Sequence, residues 1–371
     1  MSIKTLLFTE CVDFVGSACK PFAGMKKYVS TGAVDVDHIN DSETEIVDYD
    51  GKPSRANLEV MSGDVLFAKM QGTKKTLLID PVLAKHIYST GFCAVRAKKA
   101  ILTERCLYHI LTSEMFLSQK DKNSSGATQK AITNAGLGKI VIHVPSVEEQ
   151  NNIADQLDAV IGIITKRQQE LSTLDDLIKA RFVEMFGDLE LNPMEWPVEA
   201  LGDVLSVEPQ NGLYKPQSDY VQDDTGIPIL RIDAFYDGRV TDFSGLKRLN
   251  CTDTEKSRYL LMENDIVINR VNSLEYLGKC AWITGLIEPT VFESNMMRFH
   301  VDESRIDPCY MTRLLCSTFI YKQILNRAKK AVNQASINQG DVQSFKILVP
   351  PVGLQKKYAD FVAQVDKSKV V

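Results

Sequence analysis

The side chains of this sequence that could support catalysis do not occur at the spacings that catalytic motifs require. A GxxxxGK[ST] loop would bind phosphates through backbone amides, but GLGKI at 136–140 and LGKCA at 277–281 lack its spacing and its hydroxyl. The tripeptide NPM at 192–194 matches the start of an NPPY-like DNA-methyltransferase motif without the aromatic residue that would stack on the flipped base. The five histidines show no metal-ligand spacing, and GxSxG, HExxH and glycine-rich dinucleotide motifs do not occur. The sequence therefore favours a binding protein over an enzyme.

The eight cysteines are scattered without a CxxC pair, which predicts reduced and mostly buried thiols rather than disulfides or a zinc site. The sequence contains no apolar run long enough to span a membrane, and Thr9, Glu10 and Asp13 interrupt the N-terminal apolar residues before a signal-peptide core could form. We therefore expect a cytoplasmic protein that does not contact a membrane.

The composition is that of a globular protein, with 371 residues, 44% hydrophobic and 25% charged. This length predicts two or three domains. A net charge of −5 argues against a protein that coats nucleic acid through bulk positive potential. It leaves room for DNA recognition by basic residues that are gathered on one face.

The elements that would position any binding residues begin with a long helix, predicted from Ser146 to Phe186. Ser146 and Glu149 form a capping-box pattern, and Gly187 stands where a helix would end. A seven-residue apolar repeat predicts a coiled-coil seam through Ile153, Leu157, Val160, Ile164, Leu171, Leu174 and Ile178. We expect the helix that begins after Pro351 to pack on it; a long helix inside an ordinary core is the alternative.

The chain also contains an internal repeat. QKAITNAGLGKIVIHVP (129–145) aligns without a gap with QASINQGDVQSFKILVP (334–350), and VMSGDVLFAKM (60–70) matches LMENDIVINRV (261–271). Each copy is predicted to contain short β-strands, a helical stretch, a polar loop, a strand and the start of a helix. The spacing is too long for a solenoid, so the copies are predicted to be duplicated domains with separate cores.

Three segments resemble a known family. PSVEEQNNIADQLDAVIGIITKRQQELSTLDDLIKARFVEMFGD (145–188) is similar to the central conserved region of specificity subunits of type I restriction-modification systems. WPVEALGDVLSV (196–207) is similar to the opening of their second target-recognition domain, and PPVGLQKKYADFVAQVD (350–366) to their distal conserved helix. The resemblance covers nearly the whole chain in order.

This resemblance implies a non-catalytic DNA-binding protein of the α+β class, with two pseudo-repeated β-rich target-recognition domains joined by long antiparallel coiled-coil helices. Each domain would recognise half of a bipartite site in double-stranded DNA, and the helices would dock modification subunits. Restriction subunits would complete the complex. No cofactor is expected on this chain; S-adenosylmethionine, ATP and Mg²⁺ are implied for the partner subunits.

The implied organisation has four segments. They are a first target-recognition domain at 1–144, a central helix at 145–187, a second target-recognition domain at 188–348 and a distal helix at 349–371. The distal helix is about half the length that the resemblance implies, which puts the helix pair and a second docking site for a modification subunit in question. The first domain also lacks a recognisable counterpart of residues 196–202.

DNA recognition requires cations at phosphates and planar polar groups at base edges. In two matched loops, each just before a repeated strand, lysine and amide side chains occur together. The contacts predicted in the first domain are Lys27, Tyr28, Lys69, Gln71, Lys74, Lys75, Thr128, Gln129 and Lys130. Those predicted in the second domain are Tyr214, Lys215, Arg231, Asn269, Arg270, Asn272, Lys329, Lys330, Asn333 and Gln334. The alternative for each residue is a solvated loop without a ligand.

The sequence leaves three other functions open. A self-contained methyltransferase or nuclease would require motifs that the sequence does not show. A structural or adaptor protein would use its coiled coil to bind protein partners. A truncated member of the family would need a second fragment to complete its helix pair.

Overall fold

The structure is a computed structural model that describes residues 3–127, 129–222, 225–332 and 334–369. The chain divides into two compact units, Met1–Gln168 and Gln169–Val371. Both units mix helices with strands, which confirms the predicted α+β class. The boundary between them lies inside one long helix, and the four-segment division stays a prediction.

Unit 1 is built from short elements and the start of the long helix. Its helices are α1 (Phe8–Cys11), α2 (Glu104–Thr112), α3 (Glu114–Lys122), α4 (Asn134–Leu137) and the first part of α5 (Val147–Phe186). Its strands are β1 (Lys4–Leu7), β2 (Val12–Val15), β3 (Lys26–Val29), β4 (Val34–Asp35), β5 (His38–Ile39), β6 (Glu45–Val47), β7 (Ala56–Leu58), β8 (Val65–Ala68), β9 (Thr76–Leu78), β10 (Ile87–Ser89), β11 (Phe92–Ala97), β12 (Ser124–Ser125), β13 (Ala131–Ile132) and β14 (Val141–Val144).

The centre of unit 1 is an antiparallel sheet with the order β2-β11-β8-β9. β8 is apolar at every position because both of its faces are buried. Val65 and Phe67 pack with α2 and α3 in one core, whereas Leu66 and Ala68 pack in a second core on the opposite face. A second sheet, β6-β3-β10-β7, lies beside this arrangement in the same unit.

Unit 2 contains the end of α5 and a second set of short elements. Its further helices are α6 (Asp253–Tyr259), α7 (Pro308–Leu315), α8 (Thr318–Arg327), α9 (Gln339–Gln343) and α10 (Val352–Lys369). Its strands are β15 (Val198–Ala200), β16 (Leu205–Asn211), β17 (Tyr220–Val221), β18 (Ile227–Leu230), β19 (Phe235–Tyr236), β20 (Gly238–Val240), β21 (Arg248–Leu249), β22 (Ile266–Asn269), β23 (Val271–Asn272), β24 (Cys280–Trp282), β25 (Val291–Phe292), β26 (Met296–Val301), β27 (Lys329–Lys330), β28 (Ala335–Ser336) and β29 (Lys346–Leu348).

The main sheet of unit 2 has the order β16-β26-β22-β24-β20-β19. β22 resembles β8 in having two buried faces. Ile266 and Ile268 belong to the core beneath α7 and α8, and Val267 belongs to a separate core on the other face. The alternation of side chains along one strand therefore supplies two cores in each unit.

Matched acidic residues make the same contacts in the two units. The carboxylate of Asp64 accepts a hydrogen bond from the amide of Met61 and pairs with Arg96 on the next strand. Asp265 accepts from the amide of Met262 in the same way and pairs with Arg298. Each carboxylate closes the turn that leads into a central strand, β8 or β22.

Strand β1 pairs antiparallel with β14, as β15 pairs with β29 in unit 2. β1 is therefore the structural counterpart of β15, which begins at Val198. The expectation that the first domain lacks a counterpart of residues 196–202 is wrong. The sequence did not show it because the matching segments share extended geometry and hydrogen bonding rather than residue identity.

Helix α5 has the limits that its caps predict. Glu149 accepts from the Ser146 backbone amide at 3.1 Å, and the Ser146 hydroxyl accepts from the Glu149 amide at 3.4 Å, so the capping box is present. The helix ends at Phe186, where Gly187 adopts a φ of +78° that other residues rarely tolerate.

The last turns of α5 pack against α10 within unit 2. Tyr358 contacts the rings of Phe182 and Phe186, and Lys369 pairs with Asp175. Since later residues of α10 meet earlier residues of α5, the two helices run antiparallel. The predicted partner helix is therefore present for this part of the seam.

The N-terminal half of the predicted seam is exposed instead of buried. It lies in unit 1 and comprises Ile153, Leu157, Val160 and Ile164, which are all exposed. The apolar repeat predicts a partner helix for the seam, and the partner expected after Pro351 leaves these residues exposed. We call this set the exposed stripe.

Six of the eight cysteines are buried, as the sequence predicts for most of them, and all eight are free thiols in the structure. Cys316 is exposed, however, and its sulfur lies 3.5 Å from that of buried Cys280. Within the described residues, no helix has both the length and the apolar character that crossing a membrane requires.

Candidate nucleic-acid interface

Two polar loops of unit 1 meet at the end of the central sheet. The 69–75 loop connects β8 to β9, and the segment 126–130 connects β12 to β13. The amide of Gln71 donates to the carbonyl of Lys130 at 2.9 Å, and the amide of Ile132 donates to that of Lys69 at 2.9 Å. The structure therefore brings together Lys69 and Gln71 with Gln129 and Lys130, and the last two are exposed. Predicted contact Thr128 lies outside the described residues.

Side chains of α3 hold the backbone of the 69–75 loop in place. The ammonium of Lys120 donates to the carbonyls of Ala68, Met70 and Thr73 at 3.4, 3.1 and 2.7 Å. The Asp121 carboxylate accepts from the amide of Gly72 at 3.0 Å. Burial lowers the pKa of Lys120, and nearby Asp121 opposes this shift.

The other predicted lysines of the 69–75 loop are already engaged. Lys74 forms an ion pair with Glu114, and the ammonium of Lys75 donates to the carbonyl of Thr31 at 2.8 Å. Exposed ion pairs of this kind contribute little to stability and exchange readily. Lys74 can therefore leave Glu114 for a phosphate, whereas Lys75 also closes the loop onto the 31–32 turn.

Two predicted contacts of unit 1 lie on β3, in the second sheet rather than on the loop pair. Lys27 pairs with Asp41 at 2.8 Å, and Asp41 has a pKa below its usual range because of the hydrogen bond and charge of Lys27. Tyr28 is only 5% exposed and packs in a small core with Val47 and Ile87. The structure does not bring this pair together with the 69–75 loop.

Unit 2 contains the same arrangement of two polar segments. β23 pairs with β28, which pairs with β27, so that Asn272 and Lys330 both lie opposite Ala335. The amide of Ile337 donates to the carbonyl of Arg270 at 3.0 Å, which matches the bond between Ile132 and Lys69 in unit 1. Lys329, Lys330 and Gln334 are exposed on this hairpin. Predicted contact Asn333 lies outside the described residues.

Charge at the two loop pairs is available for phosphate binding. Among the residues that the structure describes, Lys130, Lys329 and Lys330 have no carboxylate partner within ion-pair distance. Lysines in exposed, unpaired positions are the usual contacts to the DNA backbone.

Arg270 and Asn269 have different environments although they are adjacent. Arg270 donates to the carbonyl of Ser294 at 3.2 Å, and its Nε is buried without a partner in the described part of the chain. Asn269 is fully buried, and its amide donates to the carbonyl of Tyr276 at 3.4 Å. The Asn269 side chain therefore contacts the backbone of the segment that follows β22, and Arg270 is the first residue of that segment.

The remaining predicted contacts of unit 2 lie on other elements. Tyr214 is 77% exposed, and neighbouring Lys215 pairs with Glu255 and Asp219. The hydrogen bond to Glu255 raises the pKa of Lys215. Arg231 donates to the hydroxyl of Tyr220 at 3.3 Å. These side chains form no shared cluster with the 329–334 hairpin.

Sequence reasoning missed two lysines near these loops. Lys120 was overlooked because a lysine in an amphipathic helix is normally solvated. The ammonium of Lys279 lies 3.6 Å from the ring centre of exposed Tyr236 and 6.0 Å from that of Tyr276. Its signal was the lack of any match between 272–289 and the first repeat, which marks a segment that differs in chemistry.

Comparison with known proteins identifies the family of this chain. A family model described as type I restriction modification DNA specificity domain matches residues 15–173 and 193–370. The chain is 34% identical over 176 residues to a putative type I restriction enzyme MjaX specificity subunit of Methanocaldococcus jannaschii, covering 47% of this chain and 40% of that protein. It is 25% identical over 324 residues to the type I restriction enzyme EcoKI specificity subunit of Escherichia coli strain K12, covering 82% and 67% respectively.

A solved structure shows the same fold. The crystal structure of a type I restriction-modification system S subunit from M. genitalium aligns with a TM-score of 0.60 at 13% identity, over 99% of this chain and 90% of that one. The match to the MjaX specificity subunit covers 40% of that protein, so this chain matches less than half of its length.

Proposed function

Because this chain belongs to the family of type I restriction modification DNA specificity domains, we propose that it recognises the DNA target of a type I restriction-modification complex. Each compact unit is a target-recognition domain for one half of a bipartite site. The chain has no catalytic role of its own. Adenine methylation with S-adenosylmethionine belongs to the modification subunits, and ATP- and Mg²⁺-dependent translocation and cleavage to the restriction subunits.

The observation that carries this proposal is the matched pair of polar segments in each unit. In both units the segment after the central strand is joined to a lysine- and amide-containing loop by an equivalent backbone hydrogen bond, from Ile132 to Lys69 or from Ile337 to Arg270. Equivalent backbone with different side chains is what two different half-sites require. Lysines supply phosphate contacts, and arginine, glutamine or asparagine can pair with base edges.

The difference between the loops supports separate specificities. The 69–75 loop carries Lys69, Gln71 and Lys74, whereas the matching segment of unit 2 begins with Arg270 and Asn272. Arginine pairs in a bidentate manner with guanine, and amides pair with adenine. Unit 1 and unit 2 therefore read different bases.

The helices are the proposed docking site for modification subunits. The exposed stripe on α5 presents four apolar side chains that a helix of a soluble protein normally buries. Such contiguous apolar surface is typical of a protein interface.

The second candidate function is a structural adaptor, and the exposed stripe is the observation that favours it. In that case the helix alone would bind a protein partner and the loop pairs would have no DNA selectivity. A stable complex with modification subunits that lacks any sequence preference on DNA would favour the adaptor.

The test is to express this chain with a modification subunit in a bacterium that lacks DNA methylation and to map adenine methylation across the genome. We expect one bipartite motif that disappears when this chain is left out. In the same assay Lys330→Ala should lower methylation at every occurrence of the motif, because a phosphate contact carries no base preference. Lys256→Ala is the matched control, since Lys256 is exposed on α6, outside the hairpin. A stable complex without a motif would overturn the proposal.

A further inference from the structure

Lys120 is a buried lysine whose contacts are concentrated on one loop. Its side chain is 1% exposed, and the ammonium points at the carbonyls of residues 68, 70 and 73, at the two ends of the tight turn in the 69–75 loop. The Thr73 hydroxyl at 3.4 Å and the Asp121 carboxylate at 3.7 Å are also near the ammonium, so acceptors are available for all three of its donor hydrogens. Burying such a charge is costly unless every hydrogen bond is made.

Asp121 acts on the same loop from the next position of α3. Its carboxylate accepts from the amide of Gly72, which has a φ of +76°. Lys120 thus binds carbonyl groups of the loop and Asp121 binds an amide group. The two adjacent side chains define the path of the backbone between Lys69 and Lys74.

Unit 2 shows that the fold does not need this lysine. Gln119 forms two hydrogen bonds with the backbone of Val141, and Gln323 forms the same two with Lys346. This match places Ile324 at the position of Lys120. Ile324 is 1% exposed and lies against Gly278, where an added Cβ would come within 2.1 Å of its side chain. A buried apolar residue therefore serves the same helix in unit 2, where the segment after the central strand follows a different course.

We propose that Lys120 is a positioning residue that fixes the 69–75 loop in its DNA-binding conformation and so determines the specificity of one half-site without touching DNA. The inference rests on the proposed function. It assigns the difference between the two domains partly to a residue beneath the loop rather than to the loop's own side chains.

The experiment compares Lys120→Met with wild type in the complete complex with a modification subunit, again by mapping adenine methylation. Methionine keeps an unbranched side chain and removes the ammonium. We expect a several-fold rise in methylation of sites with a single base change in one half of the motif, while the other half keeps its stringency. Lys122→Met, an exposed position on the same helix, should leave both halves unchanged.

Hydrogen–deuterium exchange of the same complex provides a readout that does not involve DNA. Lys120→Met should speed exchange at 69–75 and leave 270–279 unchanged. Asp121→Ala removes the second contact to the loop and should relax the same half of the motif, which keeps the test informative if Lys120→Met does not fold.

The outcomes separate this inference from the proposed function. Unchanged stringency in both halves, or equal loss of both halves with a lower yield of folded complex, would overturn the positioning role. A wild-type complex without any motif would overturn the proposed function, and unchanged exchange at 69–75 in Lys120→Met would then overturn the positioning of the loop as well.

Discussion

Two matched glutamines allow the contribution of one side chain to be measured once in each unit. Gln150 is fully buried; its carbonyl oxygen accepts from the amide of Thr103 at 2.8 Å, and its amide group donates to the carbonyls of Ile101 and Pro145 at 2.8 and 3.0 Å. Gln355 is also fully buried and makes the equivalent three bonds to residues 307, 305 and 350 at 2.8, 3.1 and 2.7 Å. Replacement by leucine preserves the approximate size and removes all three.

The expected cost follows from the groups that are left without partners. Each substitution leaves one backbone amide and two backbone carbonyls without their hydrogen-bond partner. A buried polar group without a partner lowers the free energy of unfolding by about 1 kcal/mol or more. We therefore expect the free energy of unfolding of the affected unit to fall by about 3 kcal/mol, which is more than a hundredfold in the unfolding equilibrium.

The positions of the tryptophans allow the unfolding of unit 2 to be followed by fluorescence. Trp196 and Trp282, the only two in the chain, both lie in unit 2. With a urea dependence of about 2 kcal/mol per molar, Gln355→Leu should lower the midpoint of the tryptophan fluorescence transition by about 1.5 M. Gln150→Leu should leave this midpoint in place and speed hydrogen exchange in α2 and α3.

Gln156→Leu is the control, because Gln156 is exposed on α5. A loss of less than about 0.5 kcal/mol in both buried variants would refute the reasoning, since it would mean that water replaces the lost bonds. An equal shift of the tryptophan midpoint by Gln150→Leu would refute the premise that the two units unfold independently.

Three further predictions concern DNA and pH. Arg270→Ala should relax base preference at one position of the motif, because a lost bidentate contact reduces the discrimination between bases by about 1–3 kcal/mol. Competition binding between DNA sequences measures this, and an equal loss of affinity for all sequences would make Arg270 a phosphate contact. Lys330→Ala should weaken binding evenly and reduce the slope of affinity against salt concentration by about one charge, and an unchanged slope would argue against contact with DNA. Burial favours a higher pKa for Asp158, but hydrogen bonds from Arg105 and His109 outweigh it and hold the pKa below its usual value. Because the pKa of Asp158 is lower in the folded state than in the unfolded state, its stabilisation is present above the unfolded-state pKa and is lost as the pH falls through the folded-state pKa. The melting temperature of Asp158→Asn should therefore be lower than that of wild type at about pH 7, and the two melting temperatures should converge in acid. A constant difference at all pH values would assign the effect to packing.

Local chemistry made much of the fold predictable. Ser146, Glu149 and Gly187 define the limits of α5 because caps depend on residues a few positions apart. The alternation of side chains between two cores along β8 and β22 likewise follows from strand geometry. Strand pairing is less predictable because it joins distant residues. The sequence did not indicate that β1 corresponds to β15, although β1 pairs with β14 as β15 pairs with β29.

The candidate site was less predictable because burial depends on distant parts of the chain. Lys69 and Lys130 were predicted as separate candidates, and it is the fold that brings their two loops together through backbone hydrogen bonds. Nothing near Lys120 in sequence indicates that three carbonyls of another loop will surround its ammonium. Tyr28 combines a polar group with an aromatic ring and suited a DNA contact, yet strand pairing places it in a core.

The middle of α5 has a consequence for proteolysis. From Asp155 to Arg167 its side chains are almost all exposed, and at Gly162 an added Cβ would meet no atom within 4 Å. A helical glycine costs about 1 kcal/mol relative to alanine, so this stretch opens more easily than the capped ends. Trypsin should cut first after exposed Lys166 and release two fragments that correspond to the compact units, and Gly162→Ala should slow that cut.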